Sequence, residues 1–289
     1  MKEPTTARGW AIFLSKLWGP RFPVDVRQIA LDYTQRFTDP ILNIVEADVP
    51  SFEGALYPLK KKGGWAILFN PTIRSRGRRN FTLAHELGHY LVHRSSTSKI
   101  LECGQAEVLG ASTDTARRQL EHDADQFASY LLMPLDDFRA QVSRQKMSLD
   151  LLQHCSDRYE VSSTAAALKW LEFTDRCAVL VVATSGFVLW CMRSKSAARS
   201  RLFFPSGMPL PPDSLAAQPA LGLAVGSEGI ELPPGVWSKT SHSREMAIFA
   251  DSYEMTISLI EFDDFRRSWD DGEDPIEDAF DRFTKLSTS

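Results

Sequence analysis

The chain has 289 residues, 43% of them hydrophobic and 24% charged, with 16 prolines and 16 glycines. These are ordinary globular values that exclude wholesale disorder and fibrous repeats, and the length suggests two domains or one domain with appended modules. The formal net charge of −4 is uneven, because Glu261 to Asp281 holds ten acidic residues against Arg266 and Arg267, a local −8 that leaves the remainder at +4. That remainder is too mild to mark a nucleic-acid protein by charge alone.

The N-terminal apolar run is broken by Lys16 and lacks a small-residue cleavage site, so it does not read as a signal peptide. The longest apolar stretch, Cys177 to Cys191, is interrupted by Thr184-Ser185-Gly186 and is too short to span a bilayer. The expectation is a cytoplasmic protein with no membrane partner. Cys103, Cys155, Cys177 and Cys191 form no C-x-x-C pair, which argues against a zinc ribbon or a disulfide framework.

In chain order, Trp10, Phe13, Leu14 and Leu17 recur at helical spacing, and Gly19-Pro20 ends that helix. A second helix starts at Asp25, whose carboxylate can cap Gln28, with Val26, Ile29, Ala30 and Tyr33 as its apolar face. From Ile41 to Asn70 the pattern turns to short strands, ILNIV, GALYPL and WAILFN, the last two joined by KKKGG as a hairpin with a basic tip. An edge strand of such a sheet can hold an extended peptide, and the sequence does not say which of the three strands would do so.

Arg74, Arg76, Arg78 and Arg79 follow in PTIRSRGRRN. Such runs are usually a solvated loop, and the functional alternative is a patch for nucleic acid or an acidic substrate. The next stretch, FTLAHELGHYLVH from Phe81 to His93, reads as a helix from about Asn80. His85 and His89 lie four residues apart and share a face, with Glu86 beside the open side of an ion they could hold. A bare H-E-x-x-H arises by accident in roughly one chain in a hundred of this length, so the case depends on a third ligand. His93 is one turn further on, too far along the axis to join the same ion, and reads as a packed or supporting histidine.

After an irregular segment from Arg94 to Thr115, the run TARRQLEHDADQFASYLLMP reads as a helix closed by Pro134. Glu121 and Asp125 are four apart on it. In a gluzincin-like site the second helix supplies a glutamate ligand, and an Asp one turn later can accept the free N–H of a ligand histidine. Glu121 and Asp125 meet both demands; the bland alternative is an exposed acidic face. His122 and Asp123 point elsewhere on the helix, while Glu102 and Glu107 are rival ligands from the loop.

FTLAHELGHYLVH followed by LEHDADQFASYLLMP resembles the ImmA/IrrE family of bacterial and phage metallopeptidases, with the resemblance covering roughly residues 20 to 172. The resemblance implies one Zn2+ held by His85, His89 and Glu121, and Glu86 as the general base. Characterised members cleave a cognate helix-turn-helix repressor and release transcription in response to DNA damage, mobile-element signals or phage infection. The expected substrate is such a repressor, and the expected activator is single-stranded DNA or a small molecule. A different class of reading is a non-catalytic DNA-binding or signal-binding regulator in which zinc only staples two helices; an intact Glu86 favours the enzyme.

Residues 147–173, with a break near Glu160-Val161, read as a helix-turn-helix-like pair whose bland reading is a helical completion of the core. Beyond about Thr174 the chain becomes β-rich, with CAVLVVA, FVLWCMRS, MAIFA and MTISLIEF, compatible with the GAF-like sensor domain that some family members carry. A capping box at Asp274 to Glu277 opens a last helix. The expected class is α+β: a zincin-like metallopeptidase domain at 1–146, the helical segment at 147–173 and the β-rich domain at 174–289. Cys103, in the loop between the two ligand helices, is read as a candidate inhibitory metal ligand, a thiolate able to displace a catalytic water.

Overall fold

A computed structural model of the chain describes residues 3–47, 53–94, 111–143, 145–222, 224–250 and 255–263, apart from the side chains of 111–114, 222 and 250. The architecture is α+β, and the chain divides into two compact units, Met1–Ser143 with Cys155–Ser162, and Arg144–His154 with Ser163–Ser289.

The first unit begins with helices α1 (Ala7–Trp18) and α2 (Val26–Tyr33). Asp25 caps α2 by accepting from the Gln28 amide at 2.9 Å, and Gly19 ends α1 at φ 80°, a conformation that costs glycine little. Strands β1 (Ile41–Glu46), β2 (Gly54–Leu59) and β3 (Gly64–Phe69) form a sheet in the order β1-β3-β2. β3 is central: it pairs parallel with β1 and antiparallel with β2, and Trp65, Ala66, Ile67 and Phe69 are buried on both faces. The β2–β3 hairpin turns through the basic tip, with Gly63 at φ 66°.

β2 is therefore an edge strand, and its pairing fixes which backbone groups face outward. Asn70 N donates to Glu53 O at 2.8 Å, which turns the backbone of residues 55, 57 and 59 towards β3 and that of Gly54, Leu56 and Pro58 towards the open edge. Pro58, which has no N–H to offer, sits where an edge tolerates it.

The metal-helix candidate, α3 (Arg76–Gly88), starts four residues before Asn80 because Ser75 caps it, accepting from the Arg78 amide at 3.3 Å. Arg76, Arg78 and Arg79 are thus in the first turn of a helix rather than in a loop, and Arg74 lies just before its cap. α3 continues into a π-type turn, His89–His93. The partner helix α4 (Ala111–Leu132) buries Ala124, Phe127, Ala128 and Leu131 at helical spacing and begins before the expected Thr115. Helix α5 (Leu135–Val142) follows Pro134.

Helices α6 (Leu149–Tyr159) and α7 (Ser163–Phe173) are separated by a short break in which Glu160 takes φ 47°. The second unit is built on five antiparallel strands, β4 (Cys177–Thr184), β5 (Phe187–Arg193), β6 (Ile230–Leu232), β7 (Ser243–Ala250) and β8 (Met255–Phe262), in the order β5-β4-β8-β7-β6. Ser185 and Gly186 join β4 to β5 at φ 50° and 80°, the two positive angles of a type I′ hairpin. Val179, Val181, Ala183, Ile260, Phe204 and Trp237 form its core. Buried Glu245 is satisfied by the amides of Leu215 and Ala216 at 2.8 and 3.0 Å and by the Trp237 indole at 2.8 Å. Among the described residues no helix is long and apolar enough to cross a membrane. The last helix expected from Asp274 lies outside the described residues.

Candidate metal centre

α3 and α4 come together because the residues at their crossing are small. A Cβ added to Gly88 would lie 3.0 Å from Phe127 Cδ1 and 3.2 Å from Ala124 Cα, so any larger residue there would hold the helices apart. This approach lets two acidic side chains of α4 reach His85. Its Nδ1 lies 2.8 Å from Asp125 Oδ1, and its Nε2 lies 3.2 Å from Glu121 Oε2.

The donor triangle is closed by His89. Its Nε2 is 3.0 Å from His85 Nε2 and 3.6 Å from Glu121 Oε2. His85, His89 and Glu121 thus offer three ligand atoms all within 4.8 Å of one another, the one such group among the described residues. Tetrahedral zinc with bonds of about 2.0–2.1 Å requires ligand–ligand edges of about 3.3 Å. Edges of 3.0, 3.2 and 3.6 Å bracket that value, and two imidazole nitrogens with one carboxylate oxygen are a donor set that zinc accepts.

The same geometry sets the protonation of the ligand side chains in the absence of a metal. Burial opposes a charge on His85, but the hydrogen bonds with Asp125 and Glu121 and the charges of Asp125 and Glu86 outweigh it and raise His85 to about 10. Glu121, hydrogen-bonded to His85 and 3.6 Å from His89, is held well below the usual carboxylate range. A proton shared by this pair stands where a metal would compete for the same lone pairs.

Glu86 is not part of the donor triangle. It is 7% exposed, and burial raises its pKa above the ordinary carboxylate value, opposed by the charges of His85 and His89 and by a hydrogen bond from the Leu56 amide. That amide belongs to the open edge of β2. At the neighbouring outward residue, a Cβ on Gly54 would lie 2.4 Å from Thr82 Cγ2 and 3.1 Å from Glu86 Oε1, so only glycine lets β2 pass this close to α3. β2 is thus the edge strand that lies beside the metal helix, a distinction that residue patterning of three similar short strands could not make.

The remaining sequence candidates fall elsewhere. Arg78 forms a bidentate pair with Glu53, and Arg79 donates to the Ile73 carbonyl at 3.0 Å with its guanidinium over Phe69. Arg76 is exposed, 3.8 Å from Glu160, and Arg74 is exposed, so the four arginines are not one continuous free patch. Tyr90, next to His89 in the chain, donates its hydroxyl to the Asp39 carbonyl at 3.0 Å. Cys103, Glu102 and Glu107 lie outside the described residues. His93 is buried beside His89 rather than in the donor set, and Asp123, which helical position alone sets aside, faces it at 3.5 Å.

Residues 38–171 match the M78 peptidase family model described as the IrrE N-terminal-like domain. No curated protein matches the sequence. A solved Mycobacterium tuberculosis transcriptional regulator is similar in fold, with a TM-score of 0.52, 15% identity, and 89% of this chain and 75% of that chain covered. Residues 38–171, whose helices bring two histidines and a glutamate to one point, thus form an IrrE N-terminal-like domain of the M78 peptidase family.

Proposed function

We propose that the protein is a zinc-dependent endopeptidase that cleaves a cognate helix-turn-helix repressor and so derepresses a stress, DNA-damage or anti-phage operon. The observation that carries the peptidase reading is the conjunction of a three-donor triangle, a buried carboxylate beside it and the open edge of a strand at that carboxylate. A metal used only as a staple would need the triangle and neither of the other two.

Zinc bound by His85, His89 and Glu121 would supply Lewis acidity and a water of lowered pKa. Glu86, buried beside the donors, would serve as general base toward a water held at this centre and then as proton donor to the leaving amine. Burial suits it to this task, because a carboxylate with a raised pKa is a stronger base. Asp125 accepts the Nδ1–H of His85, which fixes the tautomer that presents Nε2 as a ligand and raises its basicity. The edge of β2 offers the Gly54 amide and the Gly54 and Leu56 carbonyls to an extended substrate backbone, and Pro58 ends the run of donors. Binding in this way favours a segment that can unfold locally into a strand, such as a linker or an exposed turn of a repressor.

The second unit, with its own core, is a candidate sensor in this reading, and its antiparallel order, with its first strand β4 inside the sheet rather than at an edge, is compatible with a GAF-like domain. We assign it the activating signal, a small molecule or single-stranded DNA. The exposed Arg74 and Arg76 are the residues of the arginine run left for a DNA contact.

The test is cleavage of the repressor encoded beside this gene by wild type and by Glu86→Gln, with zinc content measured in both. Cleavage by wild type and none by a fully zinc-loaded Glu86→Gln protein is the expected result. Equal loss of repressor with both proteins overturns the peptidase reading in favour of a regulator with a structural metal.

A further inference from the structure

His93 is buried, 4% exposed, and lies on the π-type turn that also carries His89. Single π turns inside α-helices are rare and are found frequently at functional sites. Here it sets two imidazoles side by side: His89 Nδ1 and His93 Nδ1 are 3.2 Å apart, with ring centroids at 5.4 Å.

Two ring nitrogens at that distance hold a single proton between them. Two N–H groups would drive their hydrogens together, and two lone pairs would repel. Which ring carries the proton follows from the other ends of the two rings. For His89 to present the Nε2 lone pair to a metal while neutral, its proton must be on Nδ1. His93 Nδ1 is then the acceptor, and the proton of a neutral His93 is on its Nε2.

The surroundings of His93 Nε2 select that form. The atom is buried without a conventional hydrogen bond, and the carboxylate oxygen Asp123 Oδ2 faces it at 3.5 Å. An anionic acceptor favours an N–H on the nitrogen it faces and disfavours a lone pair there. The other oxygen of Asp123 accepts from Gln119 Nε2 at 3.0 Å, which leaves Oδ2 for the histidine.

We infer that His93 and Asp123 are positioning residues for the metal ligand His89: Asp123 fixes the tautomer of His93, and His93 in turn fixes that of His89. His85 receives the same service in one step from Asp125, and His89 receives it in two. The inference rests on the metal-centre reading given above. It makes His93 a support that reaches the metal only through His89, and it gives Asp123 a role that its neighbour His122 does not share.

The experiment uses the full chain with Zn2+ alone as the probe, in wild type, His93→Phe, His93→Gln and Asp123→Ala. Zinc affinity is read by chelator competition, the tautomer of His89 by the 15N shifts of its imidazole in zinc-free protein, and folding by thermal unfolding. Loss of such a supporting partner weakens metal binding by about 10–100-fold. That loss is expected for His93→Phe, with Asp123→Ala at the lower end of the range. His93→Gln, whose amide oxygen can accept the same N–H, restores most of the affinity. The zinc-free wild type shows His89 with its proton on Nδ1, and Asp123→Ala converts it to a mixture. A merely structural role would move the unfolding temperature without moving the tautomer and would not be rescued by Gln. His89 protonated on Nε2 in wild type, or wild-type zinc affinity in the Phe variant, overturns the inference. If His93→Phe does not fold, Asp123→Ala decides, since an unchanged His89 tautomer in that variant also overturns it. A wild type that binds no zinc would instead sink the metal-centre reading, while the imidazole spectrum still decides the relay.

Discussion

His85 and Asp125 lie 2.8 Å apart across two helices, joined through the ring nitrogen that a metal would not use. The contact orients the imidazole and strengthens it as a ligand, so its removal acts on metal binding before it acts on the fold. Asp125→Ala is expected to weaken zinc affinity by about 10–100-fold, read by chelator competition, with Glu121→Ala losing more because it removes a ligand outright. Wild-type affinity in Asp125→Ala would show that the contact is packing and nothing else.

The protonation of the same cluster makes zinc-free protein sensitive to alkali. His85, with the hydrogen bonds to Asp125 and Glu121 outweighing its burial, is raised from 6.5 to about 10, so the stability it contributes is fully present below about pH 6.5 and is lost as the pH rises through 10. Glu121 is lowered from 4.5, chiefly by its hydrogen bond to His85, so its contribution is present above 4.5 and is lost as the pH falls below that value. Zinc-free protein should therefore resist denaturant better at about pH 6 than at about pH 9, while zinc affinity rises over the same interval because the metal displaces the proton. Denaturant curves of chelator-treated protein that coincide at the two pH values would contradict this.

Much of the centre is legible in the residues because helical spacing is a rigid rule. The spacing of four from His85 to His89, and of four from Glu121 to Asp125, determines which side chains share a face before any tertiary contact is known. What spacing cannot give is the relation between elements. The role of β2 depends on sheet order, which three similar strands leave open, and the Leu56 amide is a backbone group with no residue-type signature. The start of α3 was hidden because four arginines read as a loop, although Ser75 three residues before Arg78 is a capping signal. Asp123 looked misplaced for the metal because its partner is His93, and that pairing exists only once the π turn and α4 are set side by side.

Gly88 tests whether the close helix crossing is what assembles the donors. A Cβ there meets Phe127 at 3.0 and 3.1 Å and Ala124 at 3.2 Å, tight enough that the neighbours must yield. Gly88→Ala is expected to cost about 1–3 kcal/mol, the usual range for overpacking, and Gly88→Val more. Zinc affinity should fall with it, because the ligand Glu121 and the supporting Asp125 on α4 are carried away from His85. A Gly88→Val protein with wild-type stability and zinc binding would mean that the helices can separate without disturbing the site.

Leu56 offers the sharpest test of Glu86 as the base, because only its backbone is involved. Burial raises the Glu86 pKa, and the Leu56 amide, with the charges of His85 and His89, pulls it back by stabilising the carboxylate. Leu56→Pro deletes that N–H at a position where the edge of β2 has no strand partner among the described residues, and the strand already accommodates Pro58 on the same edge. The Glu86 pKa should then rise further, because one charge-assisted hydrogen bond to the carboxylate is lost. A base works only when ionised, so the acid limb of the pH–rate profile for repressor cleavage should move to higher pH, while the rate above the limb falls less. Zinc content should not change, since Leu56 touches none of the three donors. An acid limb that stays in place in zinc-loaded Leu56→Pro would remove Glu86 as the group whose ionisation limits the rate.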